Sequence, residues 1–269
     1  MITPSLSLVA ALMFATAANQ AEVDQRWQPW LGCWQMLDES VIDGSAAIAE
    51  LLDLPGPQSR PASGALVCVT PAGAAGATLT TLVNDRAVLT ETIVADGTEQ
   101  PLSEPECRGW QRAEWSTLGA RLFARAEITC TGQTPRKVSE LSLMISGPTW
   151  IDIQLVETDG RKNLRLRRYR RAADQRHAGS LPPPARGTAA IPLSSRLSIA
   201  EVKEAAIKVE PETLQAALVE LGRGFDLNGK ELIELDKAGV PDSVTDLMVA
   251  LTFPQRLVIE RSTRSGGYS

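Results

Sequence analysis

The chain has 269 residues, of which 43% are hydrophobic and 22% are charged, and its formal net charge is −5. This ordinary globular composition excludes a disordered polyelectrolyte, and the net acidity argues against a general binder of polyanions. The length suffices for one large domain or two modest ones.

The N-terminal segment has the features of a secretory signal. Residues 6–18 form an apolar run that is too short to cross a bilayer, which takes about 20 apolar residues. The triplet Ala15-Thr16-Ala17 supplies a small-x-small cleavage pattern, although no basic residue precedes the run. We therefore predict a signal peptide at 1–18, with a buried N-terminal helix as the alternative, and a soluble periplasmic or secreted protein without a transmembrane segment.

All four cysteines lie in the first half of the chain: Cys33, Cys68, Cys107 and Cys130. An oxidising compartment favours disulfides, and the lack of a Cys-x-x-Cys pair argues against zinc knuckles and thioredoxin-type chemistry. We favour Cys33–Cys68 and Cys107–Cys130 because strands that follow one another in a meander lie side by side. The other two connectivities remain open.

Hydrophobic alternation with a period of two dominates the first half and predicts a β domain at 22–171. The strands are expected at 31–38, 64–70, 77–83, 86–95, 106–115, 119–130, 136–146, 149–157 and 162–170, with a short helix at Ala46–Leu52. An antiparallel up-and-down barrel of eight to ten strands would remove the exposed edges of so many strands. A disulfide-braced β-sandwich is the alternative.

The first predicted strand contains Gly32-Cys33-Trp34, and this Gly-x-Trp resembles the signature of the lipocalin and calycin family. The resemblance implies that Trp34 closes one end of a barrel and packs near a basic residue of the last strand. Arg165, Arg167 and Arg168 are the candidates for that residue.

A barrel of this size either holds one small ligand or is filled by side chains. On the strand at 149–157, one face carries Ile151, Ile153 and Leu155, and the other carries Trp150, Asp152 and Gln154. The sequence does not decide between the faces, and we expect the apolar one to point inward. Glu91 would face inward together with Leu89 and Ile93, and would need a partner, which an inward arginine of the last strand could supply. The alternative is that Glu91 points to solvent. The predicted ligand-binding residues are Trp34, Glu91, Trp150, Arg165 and Arg167.

Residues 161–171 hold seven lysines and arginines, and three interpretations stay open. The segment could meet anionic envelope material. It could be a solvated edge strand whose charges block pairing with other chains. It could also dock on the acidic helical segment of its own chain.

Residues 172–197 are rich in Ala and Pro and read as a semi-stiff linker. After it the hydrophobic period becomes helical, which predicts a small four-helix bundle at 198–253 and a polar tail at 254–269. Ser198 with Glu201, and Asn228 with Glu231, fit capping boxes. Residues 198–247 hold eleven acidic and five basic side chains, so DNA binding is rejected. The expected role is contact with a protein partner or packing within the chain. The fold class is α+β with segregated domains.

The sequence contains few candidate catalytic residues or motifs. His177 is the only histidine and lies in the linker, and no nucleotide-binding loop is present. Asp38, Glu39, Asp152 and Glu157 are the candidates for acid–base chemistry. We therefore expect a non-enzymatic protein without metal or cofactor.

The leading hypothesis is an exported barrel that binds an apolar or amphipathic small molecule, with a helical segment for contacts. The alternatives are an envelope module with a filled barrel and no ligand, or an enzyme that uses inward carboxylates.

Overall fold

A computed structural model describes residues 23–43, 60–61, 64–103, 106–145, 149–173, 176 and 196–255. The predicted signal peptide, the predicted helix at Ala46–Leu52 and most of the linker lie outside these residues. The strands are β1 (Gly32–Asp43), β2 (Arg60–Pro61), β3 (Leu66–Ala72), β4 (Gly76–Val83), β5 (Arg86–Val94), β6 (Asp96–Ser103), β7 (Cys107–Trp115), β8 (Arg121–Cys130), β9 (Arg136–Ile145), β10 (Thr149–Thr158) and β11 (Arg161–Arg171). The helices are α1 (Ile199–Ala206), α2 (Pro211–Leu221), α3 (Gly229–Lys237) and α4 (Asp242–Thr252).

Ten of the strands form a nearly closed antiparallel barrel. Their order is β5-β4-β3-β1-β11-β10-β9-β8-β7-β6, and the short β2 pairs with β1. The two ends of this path, β5 and β6, follow one another in the chain and are joined through Ala95. The predicted class, a barrel followed by four helices, is confirmed.

Strand β6 was not predicted from the sequence. Asp96-Gly97 reads as a turn, and Gly97 does have a positive φ of 79°. The structure uses this glycine for an irregularity in the pairing with β7, between Asp96 and Glu99, and the strand continues. Pro101 is tolerated in β6 because this strand is the last of the sheet and carries ladder hydrogen bonds on one side only.

Both disulfides bridge neighbouring strands at directly paired positions. Cys33–Cys68 joins β1 to β3, and Cys107–Cys130 joins β7 to β8. The favoured connectivity is therefore the one in the structure.

The four helices lie against the outside of the barrel. One hydrophobic core combines Phe123, Leu141 and Ile153 of the barrel with Leu214 and Met248 of the helices. The Ser198 capping box is present at α1, and the Asn228 side chain accepts bonds from the first N–H groups of α3. Because barrel and helices share this core, the helices do not stand apart from the sheet, and the division into residues 22–171 and 198–253 stays a prediction.

The expectation that the apolar face of β10 points into the barrel is wrong. Ile151, Ile153 and Leu155 pack in the outer core with the helices. Trp150 and Asp152 therefore occupy the inner face, since successive side chains of a strand alternate. An apolar face needs an apolar cover, and here the helices provide it from outside.

The edge-strand interpretation of residues 161–171 is also wrong, because β11 lies between β1 and β10. Its outer face docks on the helical segment of the same chain. Lys162 Nζ lies 2.6 Å from the Glu212 carboxylate, and Arg168 pairs with both Glu220 and Asp38. The third of the open interpretations, docking on the acidic helices, is the one in the structure.

Candidate functional site

One end of the barrel is closed by an aromatic floor made of Trp27, Trp30, Trp34, Trp115, Trp150 and Tyr169. The rings of Trp150 and Tyr169 stack with centroids 4.4 Å apart. Trp34 and Trp30 meet Trp150 edge to face, at 6.0 Å and 5.6 Å. Edge-to-face and stacked pairs are the favoured aromatic geometries, so the floor is a well-packed plug.

Trp34 is fully buried in this floor, and its indole N–H donates to the Trp30 carbonyl at 2.7 Å. The Arg171 guanidinium lies 4.5 Å above the Trp34 ring and donates to the Leu31 carbonyl at 2.8 Å. Gly32 has a φ of 116°, a conformation that favours glycine and places the following residues on the strand. The basic residue beside Trp34 is thus Arg171, and the expectation of Arg165, Arg167 or Arg168 is wrong.

Above the floor the barrel encloses a cavity of about 410 Å³. Part of its wall is apolar and comes from Met36, Val67, Leu79, Leu89, Ile93 and Ile128. The remainder includes polar and charged side chains from β1, β5, β9, β10 and β11. A cavity of this size and mixed lining matches the small-molecule pockets of proteins, which span about 300–1,000 Å³.

Four carboxyl groups of the cavity wall form a carboxyl cluster: Glu39, Glu91, Glu140 and Asp152. Arg167 joins two of them, with Nε 2.9 Å from Glu39 and Nη1 3.2 Å from Asp152. The Ser142 hydroxyl donates to the other Asp152 oxygen at 2.8 Å, and the Gln154 amide donates to Glu140 at 3.1 Å. These bonds hold Asp152 and Glu140 in fixed orientations.

A bulge in β1 brings Glu39 into this cluster. The register with β11 shifts between Met36 and Asp38, so one extra residue stands on β1. Met36 lines the cavity before the shift, and Glu39 lines it afterwards, while Asp38 pairs with Arg168 on the outside. Bulges re-aim side chains in this way, and they recur beside functional sites.

Burial and mutual repulsion perturb the carboxyl cluster. Desolvation, followed by the charges of Asp152 and Glu91, raises the pKa of Glu140 well above its usual range. Desolvation and the charge of Asp152 also raise the pKa of Glu91, which the charge of Arg167 partly offsets. The Glu91 side chain still contacts water because the cavity is open, although barrel atoms surround it. Glu91 and Glu140 thus hold protons more tightly than isolated carboxyls do.

Burial and the charge of Asp152 also shift the pKa values of Tyr169 and Arg167. Burial and the nearby Asp152 raise the pKa of Tyr169, so the phenol remains protonated and can donate a hydrogen bond. Although desolvation opposes it, the charge of Asp152 raises the pKa of Arg167. The guanidinium is therefore a permanent positive charge inside the barrel.

The predicted ligand-binding residues fall into three groups. Glu91, Trp150 and Arg167 line the cavity. Trp34 lies beneath it in the aromatic floor and does not reach the cavity wall. Arg165 shares the inward register of Arg167, but it is solvent-exposed and lies outside the cavity lining.

Four residues that line the cavity were not predicted from the sequence as ligand-binding residues: Glu39, Glu140, Gln154 and Tyr169. Asp152 and Glu39 were considered only as candidates for acid–base chemistry. Alternation along β10 runs from Trp150 through Asp152 to Gln154. It would have placed Asp152 and Gln154 at the cavity if this polar face had been predicted to be the inner one. Glu140 pairs directly with Gln154 across the sheet. The other carboxyl candidates, Asp38 and Glu157, lie outside the cavity lining.

The residues that the structure describes contain neither a metal-binding cluster nor a membrane-spanning helix. No group of three or more His, Cys, Asp or Glu side chains is placed to hold a metal ion. None of the helices in this part of the chain is long and apolar enough to span a bilayer.

No protein-family profile and no curated protein matches the chain. Among solved structures it is similar to a secretory abundant heat soluble protein from Ramazzottius varieornatus, with 12% identity over 54% of this chain and 96% of the other, at a TM-score of 0.33. It is also similar to the zebrafish ileal bile acid-binding protein complexed with cholic acid, with 12% identity over 54% of this chain and 99% of the other, at a TM-score of 0.31. Similarity at this level carries no inference about activity.

Proposed function

We propose that this chain is an exported binding protein whose barrel cavity holds one apolar or amphipathic small molecule. The observation that carries the proposal is the cavity of about 410 Å³, which combines an apolar wall with a hydrogen-bonded polar group of side chains. Apolar lining supplies most of the binding free energy in such pockets, and a few fixed polar groups orient the ligand. A barrel filled by its own side chains would leave no such space.

Export is part of the proposal. The segment at 1–18 has the pattern of a signal peptide, and the two disulfides suit an oxidising compartment such as the periplasm or the cell exterior. Edman sequencing or intact mass of protein recovered from the periplasm or medium would test this. A full-length mass with Met1 retained would overturn it.

Native mass spectrometry of the gently purified mature protein tests the binding function. We expect a non-covalent adduct that is lost on denaturation and whose mass identifies the ligand class. A clean apo mass, with no shift after incubation with a lipid extract, would overturn the proposal.

A second candidate function is acid–base catalysis, and the observation that favours it is the convergence of Glu91, Glu140 and Asp152 on one cavity. The binding function is better supported because Asp152 is held by Ser142 and Arg167, and Glu140 by Gln154. The two functions differ in what happens to the ligand. Recovery of an unchanged ligand after long incubation supports binding, and a ligand of altered mass supports catalysis.

A protein partner for the helical segment is a separate proposal. Ile207, directly after α1, and Ile233 of α3 are 64% and 56% exposed in a segment that is net acidic. Chemical cross-linking in intact cells, followed by identification of peptides linked to residues 198–253, would test it. Cross-links confined to the chain's own barrel would contradict it.

A further inference from the structure

The ionic balance inside the cavity is strongly one-sided. The carboxyl cluster contributes four acidic groups, and Arg167 is the inward-facing base that pairs with it. Arg112 and Arg125 also border the cavity, but they alternate along their strands with the inward-facing Ala113 and Ala124. Arg112 pairs with Glu114 at 3.1 Å, and Glu114 in turn contacts Lys208 next to the helices.

Arg167 already has its partners. Its Nε and Nη1 bind Glu39 and Asp152. In the described part of the chain, no ion pair reaches Glu91 or Glu140. Within the described residues these two carboxyls therefore lack a paired cation, although the charge of Arg167 acts on Glu91. Desolvation makes this costly, above all for Glu140, unless the carboxyl keeps its proton or gains a positive partner.

The same side chains are arranged for contact with one bound group. The carboxyls come from four strands that face a common space: β1, β5, β9 and β10. They act on one another, since the charges of Asp152 and Glu91 both perturb Glu140. Trp150 and Tyr169 line the cavity beside them, and aromatic faces attract cations.

We propose that the cavity prefers a ligand with a protonated amine attached to an apolar body, with the amine bound at Glu91 and Glu140. This inference rests on the proposed binding function and specifies its ligand class. An ammonium group carries three donors and one positive charge, which match acceptors that lack a cation. The apolar body would lie against the wall formed by residues such as Leu79, Leu89 and Ile93.

Isothermal titration calorimetry with three probes of equal chain length tests the preference. Decylammonium, 1-decanol and decanoate are straight chains of ten carbon atoms each and differ in head group. At pH 7 we expect decylammonium to bind at least about tenfold more tightly than 1-decanol, since a charge-assisted hydrogen bond is worth about that factor. Decanoate should bind most weakly, because it would add a negative charge to the carboxyl cluster.

Substitutions at the two carboxyls assign the amine site. Glu91→Gln and Glu140→Gln should each weaken decylammonium binding about tenfold and leave 1-decanol within about twofold. The matched control is Glu127→Gln, an exposed glutamate of β8 that is not part of the cavity lining. It should leave the affinity for all three probes unchanged.

Proton release supplies an independent readout. Binding a cation favours the ionised carboxyls, so Glu91 and Glu140 should lose protons to solvent when decylammonium binds. The groups that face them are Glu39, Asp152, Arg167 and Tyr169. Calorimetry in buffers of different ionisation enthalpy should show net release with decylammonium and none with 1-decanol, and decylammonium affinity should rise with pH.

The outcomes separate this inference from the proposed function. Equal affinity for decylammonium and 1-decanol, or tightest binding of decanoate, overturns the amine preference and leaves the binding function standing. Loss of affinity for all probes in Glu140→Gln, with an unchanged circular dichroism spectrum, also overturns it. If none of the probes binds the wild-type protein, both proposals fall.

Discussion

The two faces of strands β8–β11 differ sharply although they belong to the same strands. The outer face carries Phe123, Leu141 and Ile153, which are buried against the helices. The inner face carries Glu140 and Asp152, which border an open cavity. The apolar face of a barrel strand therefore points toward the element that shields it from water. In this sector that element is the helical segment outside the barrel, so the polar face lines the cavity.

The largest effect should come from the contact that fastens the helices to the barrel. Arg121 of β8 pairs with Glu201 of α1, and these side chains are only 4% and 9% exposed. Arg121→Met leaves a buried carboxylate without its cation, so we expect a loss of about 3–5 kcal/mol in the free energy of unfolding. Urea denaturation with the disulfides intact measures it, and ligand affinity should stay within about twofold.

The control for this prediction is the double variant Arg121→Met with Glu201→Gln. Glutamine preserves the bond to the Ser198 cap and removes the charge, so much of the lost stability should return. If the single variant is as stable as the wild type, the helices are not anchored at this pair.

Adjacent residues of β10 test the two faces directly. Ile153→Ala opens a cavity in the outer core and should cost about 2–5 kcal/mol, whereas Gln154→Ala removes one hydrogen bond to Glu140 and should cost about 1 kcal/mol. Denaturation midpoints measure both, and ligand affinity should fall only for Gln154→Ala. The reverse order of stability would refute the assignment of the faces.

Glu140→Gln should stabilise the protein, and the gain should grow with pH. The folded pKa of Glu140 is raised by burial, so the folded state binds a proton more tightly than the unfolded state does. The stability linked to this group is fully present below about pH 4.5 and is lost as pH rises toward the raised pKa. Thermal melts of both proteins between pH 4 and pH 8 measure the difference, and parallel curves would contradict the prediction.

The smallest effect should come from the exposed contact between helices. Lys203 lies 3.3 Å from Glu234, and their side chains are 27% and 46% exposed. Lys203→Ala should change the free energy of unfolding by at most about 1 kcal/mol, because solvent and salt screen such pairs. A loss several times larger, persisting at 1 M salt, would show that α1 and α3 depend on this pair.

Local patterns determined much of the fold from sequence. Alternation predicted most strands, and the change to a helical period predicted the four helices α1–α4. Ser198 and Asn228 cap two of these helices, α1 and α3. The favoured disulfide pairing followed from strands that are neighbours in the chain. These features depend on short stretches of residues or on strands that follow one another in the predicted order, so the sequence is enough to predict them.

The candidate site could be predicted only in part. Glu91, Trp150 and Arg167 were expected at the cavity and line it, whereas Arg165 lies outside the lining and Trp34 lies in the floor. Glu39 reaches the cavity because a bulge in β1 shifts its alternation, and no sequence pattern marked that bulge. Glu140 reaches it because its strand turns its polar face inward.

One physical cause separates the features that could be predicted from the sequence from those that depend on the tertiary structure. The pleat sorts side chains onto two faces by local geometry, so alternation along β10 separates Ile153 from Asp152 without further information. Which face is inside depends on the apolar element that covers the other, and that element is the helical segment about 60 residues further on. Burial is a property of the assembled chain, so only the folded protein assigns the polar face to the cavity.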